Sequence, residues 1–293
     1  MTSKKAALAK SGRIRVGIGG WTYAPWRRNF YPDGLVQRLE LEYASRQMSA
    51  IEINGTYYAA QKPATYAKWR DETPDGFVFS LKAPRYTTDR KILADAGNTI
   101  DAFVFGGIEE LGDRLGPILW QFPEYKSFEP ADFAAFADLL PRQLNGVALR
   151  HVLEVRHESF MCAEYVELTR QHRLPNVYTD SPKYPSFADA TGDFMYARLM
   201  RSVSSIASGY DATSLDAWAG RAQTWASGKT ADDLPHVQPP SANAAPRDVF
   251  IYFISAAKER NPAAALALQS RLGNAGVAGL KQPSPAKKIR KRS

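Results

Sequence analysis

The chain has 293 residues, is 44% hydrophobic and 12% aromatic, and carries a formal net charge of +8. That apolar supply suffices for a substantial core, although length alone leaves one or two domains open. A single cysteine, Cys162, excludes an internal disulfide, no run of 18 apolar residues marks a membrane helix, and the N-terminus lacks the apolar stretch of a signal peptide, so the cytoplasm is the expected location.

The charge sits at the ends. Residues 1–12 contribute +3 and residues 281–293 contribute +6, which leaves residues 13–280 at about −1. The terminal QPSPAKKIRKRS has two prolines, no apolar periodicity and a block of like charge, as disordered tails do. The expected organisation is therefore a basic N-terminal tail (1–12), a folded body (13–280) and a basic C-terminal tail (281–293). Such tails attract nucleic acid non-specifically through counterion release, or they only aid solubility.

Along the body, short β-rich runs alternate with helical patterns. RIRVGIGG (13–20) is the first strand, followed by the helically spaced LVQRLELEYASRQM (35–48). AIEINGTYY (50–58) precedes the helical ATYAKWRDE, and FVFSLKAP (77–84) precedes TIDAFVFGGIEELGDRL. PILWQFP (117–123) leads to PADFAAFADLLP, and VLEVRHE (152–158) leads to CAEYVELTRQH. NVYTD (176–180) is sixth, FMYARLM (194–200) seventh with SLDAWAGRAQTWAS behind it, and VFIYFIS (249–255) eighth before NPAAALALQSRLG. Eight strands, nearly all followed by helices, are the repeat of a single α/β barrel of the (β/α)8 TIM type. Only SPKYPSFADATGD joins strands six and seven, so that connection is expected to be irregular. A doubly wound open sheet is the competing architecture. Against it, Gly17, Gly19 and Gly20 do not build the GxGxxG turn of a dinucleotide fold, because Ala24 and Pro25 stand where its helix would begin.

A barrel of this type keeps its working groups at the C-terminal strand ends. The ends here carry Trp21 and Tyr23; Glu52, Asn54, Tyr57 and Tyr58; Lys82 and Arg85; Gln121; Glu154, Arg156 and His157; Asp180; and Arg198. Residues two apart on a strand share a face, so Glu52 with Asn54, Ser80 with Lys82, and Glu154 with Arg156 point together into the lumen. Their neighbours Ile51, Ile53, Leu81, Leu153 and Val155 are the residues expected to meet the helices. Charges on the lumen face must pair or bind something.

Taken in order, GIGGWTYAPW, IEINGTYY, FSLKAPR, LGPILWQFP, EVRHESF, the aspartate of NVYTD and YARL resemble the YecE-like family, domain of unknown function 72, from about Arg13 to Leu272. The resemblance implies a TIM-type barrel and no established reaction. Two departures stand out against the family pattern. Arg198-Leu199 is followed by Met200-Arg201 where the pattern runs on to His-Gly, and Tyr252-Phe253 leads to Ile254-Ser255 where an Asn type ending is usual.

The four histidines are His151, His157, His172 and His236, and only His157 lies at a C-terminal strand end, too few imidazoles for a multi-zinc phosphodiesterase site. No cofactor is expected; a magnesium ion on Glu52, Glu154 or Asp180 is the one metal alternative. Lys82, Arg85, Arg156 and Arg198 outnumber the three carboxylates and suggest a small anionic substrate. Glu154 or Glu52 then serves as general base, His157 as acid or base, and Lys82 or Arg156 stabilises developing negative charge. Trp21, Asn54, Tyr57, Arg85, Gln121, Arg156, Asp180 and Arg198 complete the binding set. No GxSxG or other nucleophile motif is present. The expected activity is acid–base chemistry, a hydrolase or lyase, on a phosphate- or carboxylate-bearing substrate; a nucleic-acid-associated protein and a non-catalytic binding barrel are the alternatives.

Overall fold

The computed structural model describes residues 11–239 and 245–273. Nearly all of both basic tails lies outside these residues. Eight strands make the main sheet: β1 (Ile14–Gly19), β2 (Ala50–Ile53), β3 (Val78–Lys82), β4 (Leu115–Gln121), β5 (His151–Glu154), β6 (Val177–Thr179), β7 (Phe194–Leu199) and β8 (Asp248–Phe253). They pair in parallel in the order β5-β4-β3-β2-β1-β8-β7-β6. The two ends of that order meet at a parallel bridge between Leu153 and Asn176, where the Leu153 N–H donates to the Pro175 carbonyl at 2.9 Å. The sheet is thus a nearly closed TIM-type barrel, and each expected strand is present within a few residues of its predicted span.

Among the described residues, seven longer helices surround it: α1 (Glu40–Gln47), α2 (Pro63–Asp71), α3 (Gly97–Val104), α4 (Pro130–Leu139), α5 (Ala163–Gln171), α6 (Ala212–Ala226) and α7 (Asn261–Arg271). Proline in the first turn opens α2, α4 and α7, where its missing N–H has no helical acceptor to lose. Asp211 caps α6 by accepting the Ser214 N–H at 2.8 Å. The β6–β7 connection has no helix, as its Pro and Gly content predicts. One expectation changes. The pattern over residues 99–115 is not one helix: α3 stops at Val104, Gly107 takes φ 112°, and a 3-10 segment follows. A small hairpin, Gln143–Leu144 with Val147–Ala148, also goes unpredicted, although Asn145-Gly146 at its turn is a strong signal for one.

Alternation along the strands builds two apolar layers. Ile51, Ile53, Leu81, Leu153 and Val155 all pack outward with the helices, beside Trp120, Phe133 and Trp225. Inside, Ala50, Val78, Leu119, Val152, Phe250 and Tyr252 fill the lumen. Burying one such large apolar side chain stabilises by roughly 1.5–3 kcal/mol, so two complete layers hold the barrel rim rigidly in place. Glycine is required where strands approach most closely: a Cβ on Gly17 would stand 1.9 Å from the Ala50 carbonyl oxygen. Above the apolar lumen the character changes. Ser80 and Tyr252 share a 2.7 Å hydrogen bond, and the Tyr196 hydroxyl donates to Glu52 at 2.8 Å.

Candidate functional site

The C-terminal ends of the strands open into a cavity of about 720 Å³. Its floor is a buried charge network assembled from β2, β5 and β7. Arg198 donates from Nε and Nη2 to Glu52 at 3.1 and 3.0 Å, and from Nη1 to Glu154 at 2.5 Å. Arg156, two residues beyond Glu154 on the same face, donates to its other oxygen at 3.0 and 2.8 Å. The remaining Arg156 nitrogen reaches the Tyr184 hydroxyl at 3.2 Å, with the guanidinium over that ring. Both glutamates are sealed beneath these guanidinium groups.

The network explains the state of its members. Burial alone would raise the Glu154 pKa, but Arg198, then Arg156 and Lys82, bring it down to about 2. Burial opposes the charge on Arg198, yet Glu154 and Glu52 hold its pKa above the ordinary arginine value. Glu154 is therefore a fixed anion that positions two cations.

Lys82 is different. Its side chain lines the cavity, and the residue is only 8% exposed. Among the described residues no carboxylate lies within ion-pair distance of its Nζ, which instead sits 3.6 Å from the centre of the Tyr57 ring. Burial, reinforced by the neighbouring Arg198, lowers its pKa to about 8. Three cations and two carboxylates leave this inner cluster with one surplus positive charge. Gln121 stands beside it with a buried amide oxygen that has no hydrogen-bond donor, an arrangement that costs roughly 1–3 kcal/mol unless something supplies one.

The walls are aromatic. Trp21 meets Trp69 edge-to-face at 5.2 Å, and Tyr57 meets Tyr58 in the same manner at 5.3 Å. Asn54 lines the cavity beside Gly19, where a Cβ would approach its amide nitrogen to 3.0 Å.

Of the twelve predicted site residues, Trp21, Asn54, Tyr57, Lys82, Gln121, Arg156 and Arg198 line the cavity, and Glu52 and Glu154 form its underside. Three stand elsewhere. Arg85 is largely exposed and pairs with Asp89 at 3.5 Å. The Nδ1 of His157 faces the Ser159 hydroxyl at 2.8 Å and accepts from the Ser159 N–H, capping the short 3-10 turn Glu158–Phe160. Asp180 accepts from the Met200 N–H at 2.5 Å and from the Tyr210 hydroxyl at 2.9 Å, which fixes the loop after β7. Met200 itself packs its side chain against the lumen core. Of the three carboxylates considered for magnesium, Glu52 and Glu154 share Arg198 while Asp180 is engaged apart from them, and among the described residues no three His, Cys, Asp or Glu side chains gather closely enough to hold a metal ion.

Sequence reasoning missed the segment after β8. Ser255, Lys258 and Asn261 all line the cavity. Ser255 and Ala256 take left-handed backbone angles, φ 58° and 48°, and the Asn261 amide donates to the Ser255 carbonyl at 3.2 Å. The Lys258 Nζ lies 4.5 Å from the Tyr23 ring centre, and burial lowers its pKa. The strand-end rule applied two turns further along the chain would have found them.

Comparison with known proteins agrees with this architecture. The family model described as "Protein of unknown function DUF72" matches residues 15–288. The UPF0759 protein YecE of Escherichia coli K12 is 28% identical over 164 residues, 55% of each chain. The UPF0759 protein YunF of Bacillus subtilis is 26% identical over 161 residues, 53% of this chain and 55% of that one. The similarity thus spans about half the length of these curated relatives. A DUF72 family protein structure from Thermotoga maritima superposes with a TM-score of 0.67 at 20% identity, covering 89% of this chain and 99% of that one. Another from Enterococcus faecalis gives 0.65 at 14% identity, over 90% and 99%. No described helix is long and apolar enough to cross a membrane.

Proposed function

This chain belongs to the DUF72 family, and we propose that it binds a small anionic substrate at the C-terminal mouth of its barrel and transforms it by acid–base chemistry, as a hydrolase or lyase. The observation that carries this reading is Lys82: a buried cation at a strand end, facing a cavity, with no carboxylate among the described residues within ion-pair distance of its Nζ. Leaving such a charge unpaired is costly unless a ligand brings the counter-charge.

The roles follow from the geometry. Lys82, with its pKa brought to about 8, exchanges a proton near neutral pH and replaces Glu154 as the acid–base group. Glu154 and Glu52 aim the Arg198 and Arg156 guanidiniums, which need no reorganisation to meet developing negative charge. Trp21 offers a ring face to the apolar part of the substrate. His157 holds a turn and leaves the acid–base set, and Asp180 holds the loop after β7 and leaves the binding set.

A metabolite-mixture screen followed by mass spectrometry tests the proposal. Wild-type protein should consume a phosphate- or carboxylate-bearing compound that Lys82→Met leaves untouched. Anionic compounds that raise the melting temperature but are never consumed would make the chain a binding barrel instead.

A further inference from the structure

Resting on the anion site proposed above, we infer that Lys82 is a nucleophile, forming an imine with the carbonyl carbon of an oxo compound that also bears a carboxylate or phosphate. Three features point past proton exchange. A lysine locked to a carboxylate cannot present a lone pair, and Lys82 has no such lock: its nearest support is the face of the Tyr57 ring, which offers no acceptor that attack would have to displace. The two guanidiniums beside it are already committed to Glu52 and Glu154, so those carboxylates have their hydrogen bonds made without the amine. Burial next to a fixed cation is also the environment that frees an amine near neutral pH.

The charge count fits the product as well. One proton leaves the Lys82 ammonium for solvent, and the amine lone pair forms the C–N bond while the carbonyl π electrons move to oxygen. A proton passes from nitrogen to that oxygen, a proton returns from solvent to the resulting hydroxyl, the C–O bond breaks as the nitrogen lone pair forms the C=N bond, and water departs. The resulting iminium carries the single positive charge that the ammonium carried before. The inner cluster therefore holds the same one surplus charge before the reaction and in the iminium, and the ligand's carboxylate or phosphate balances it.

The test is reductive trapping. Full-length protein is incubated with pyruvate or with dihydroxyacetone phosphate, treated with sodium borohydride, and mapped by peptide mass spectrometry, with inorganic phosphate as competitor. A borohydride-dependent adduct on the Lys82 peptide, suppressed at least tenfold by excess inorganic phosphate and absent from Lys82→Arg, supports the imine. Whichever probe reacts identifies the anionic group that is preferred. No adduct at Lys82 with either probe, while inorganic phosphate still raises the melting temperature, overturns the imine and leaves the anion site standing. Loss of both responses overturns both. Labelling spread over exposed lysines and unchanged in Lys82→Arg also overturns it.

Discussion

Arg198 holds Glu52 across the barrel lumen through two hydrogen bonds of 3.0 and 3.1 Å, although 146 residues separate them in the chain. With its third contact to Glu154 at 2.5 Å, this one guanidinium ties β7 to both β2 and β5. Such a buried ion network adds little over apolar packing, but removing one member strands the rest. Arg198→Met leaves Glu52 without a hydrogen-bonded cation and Glu154 hydrogen-bonded only to Arg156. It should cost about 3–5 kcal/mol in urea unfolding. A loss below about 1 kcal/mol would show that the network is not the structural unit described here.

Lys82→Met should have the opposite sign. A lysine whose folded pKa is about 8 against an ordinary 10.5 gives up a proton in the folded state that the unfolded chain keeps. Stability therefore rises with pH between 8 and 10.5, and the penalty is fully present below 8. At pH 7 the variant should gain about 1–3 kcal/mol, an amount taken from the cost of each pKa unit and reduced for the Tyr57 contact. The gain should shrink as pH approaches 10.5. Chemical denaturation at pH 7 and pH 10 checks both the size and the direction.

How much of this was legible beforehand depends on the kind of information needed. Strand parity is local, so the lumen placement of Glu52, Lys82, Glu154 and Arg156 follows from two-residue alternation. Pairing is not local. Whether Glu154 ends as a base or as a clamp depends on Arg198, 44 residues away, and on barrel closure through a single bridge between Leu153 and Asn176. Position at a strand end also does not say which way a short side chain turns. His157 finds the Ser159 N–H and Asp180 finds the Met200 N–H, each satisfying a backbone donor close at hand instead of facing the cavity.

His151 supplies a pH prediction away from the mouth. Trp120 Nε1–H donates to its Nδ1 at 3.0 Å, and its Nε2 faces the Pro141 carbonyl at 2.7 Å, so the buried ring is held neutral. Burial pushes its pKa down to about 4 from an ordinary 6.5. The unfolded chain binds that proton first, so stability falls as pH drops from 6.5 towards 4, by about 3 kcal/mol in total. His151→Gln should flatten this part of the stability profile. Glu154 acts in a lower window: its contribution is present above 4.5 and is lost as pH falls towards 2. Parallel profiles for wild type and His151→Gln between pH 6.5 and 4 would contradict the assignment.

The left-handed pair after β8 gives a backbone prediction. Ala256 holds φ 48° with a Cβ that disfavours it, so Ala256→Gly should stabilise by about 1 kcal/mol at this exposed position. Thermal unfolding measures it, and a destabilised variant would mean that the Ala256 side chain makes a contact worth more than the strain.

The central claim is that Lys82 waits for an anion, and calorimetric titration with inorganic phosphate reads it most directly. Wild-type protein should bind one phosphate per chain at neutral pH. Lys82→Met, although more stable, should bind at least tenfold more weakly, a loss of about 1.4 kcal/mol or more. Equal affinity in the two proteins, or no binding to wild type, would contradict the account.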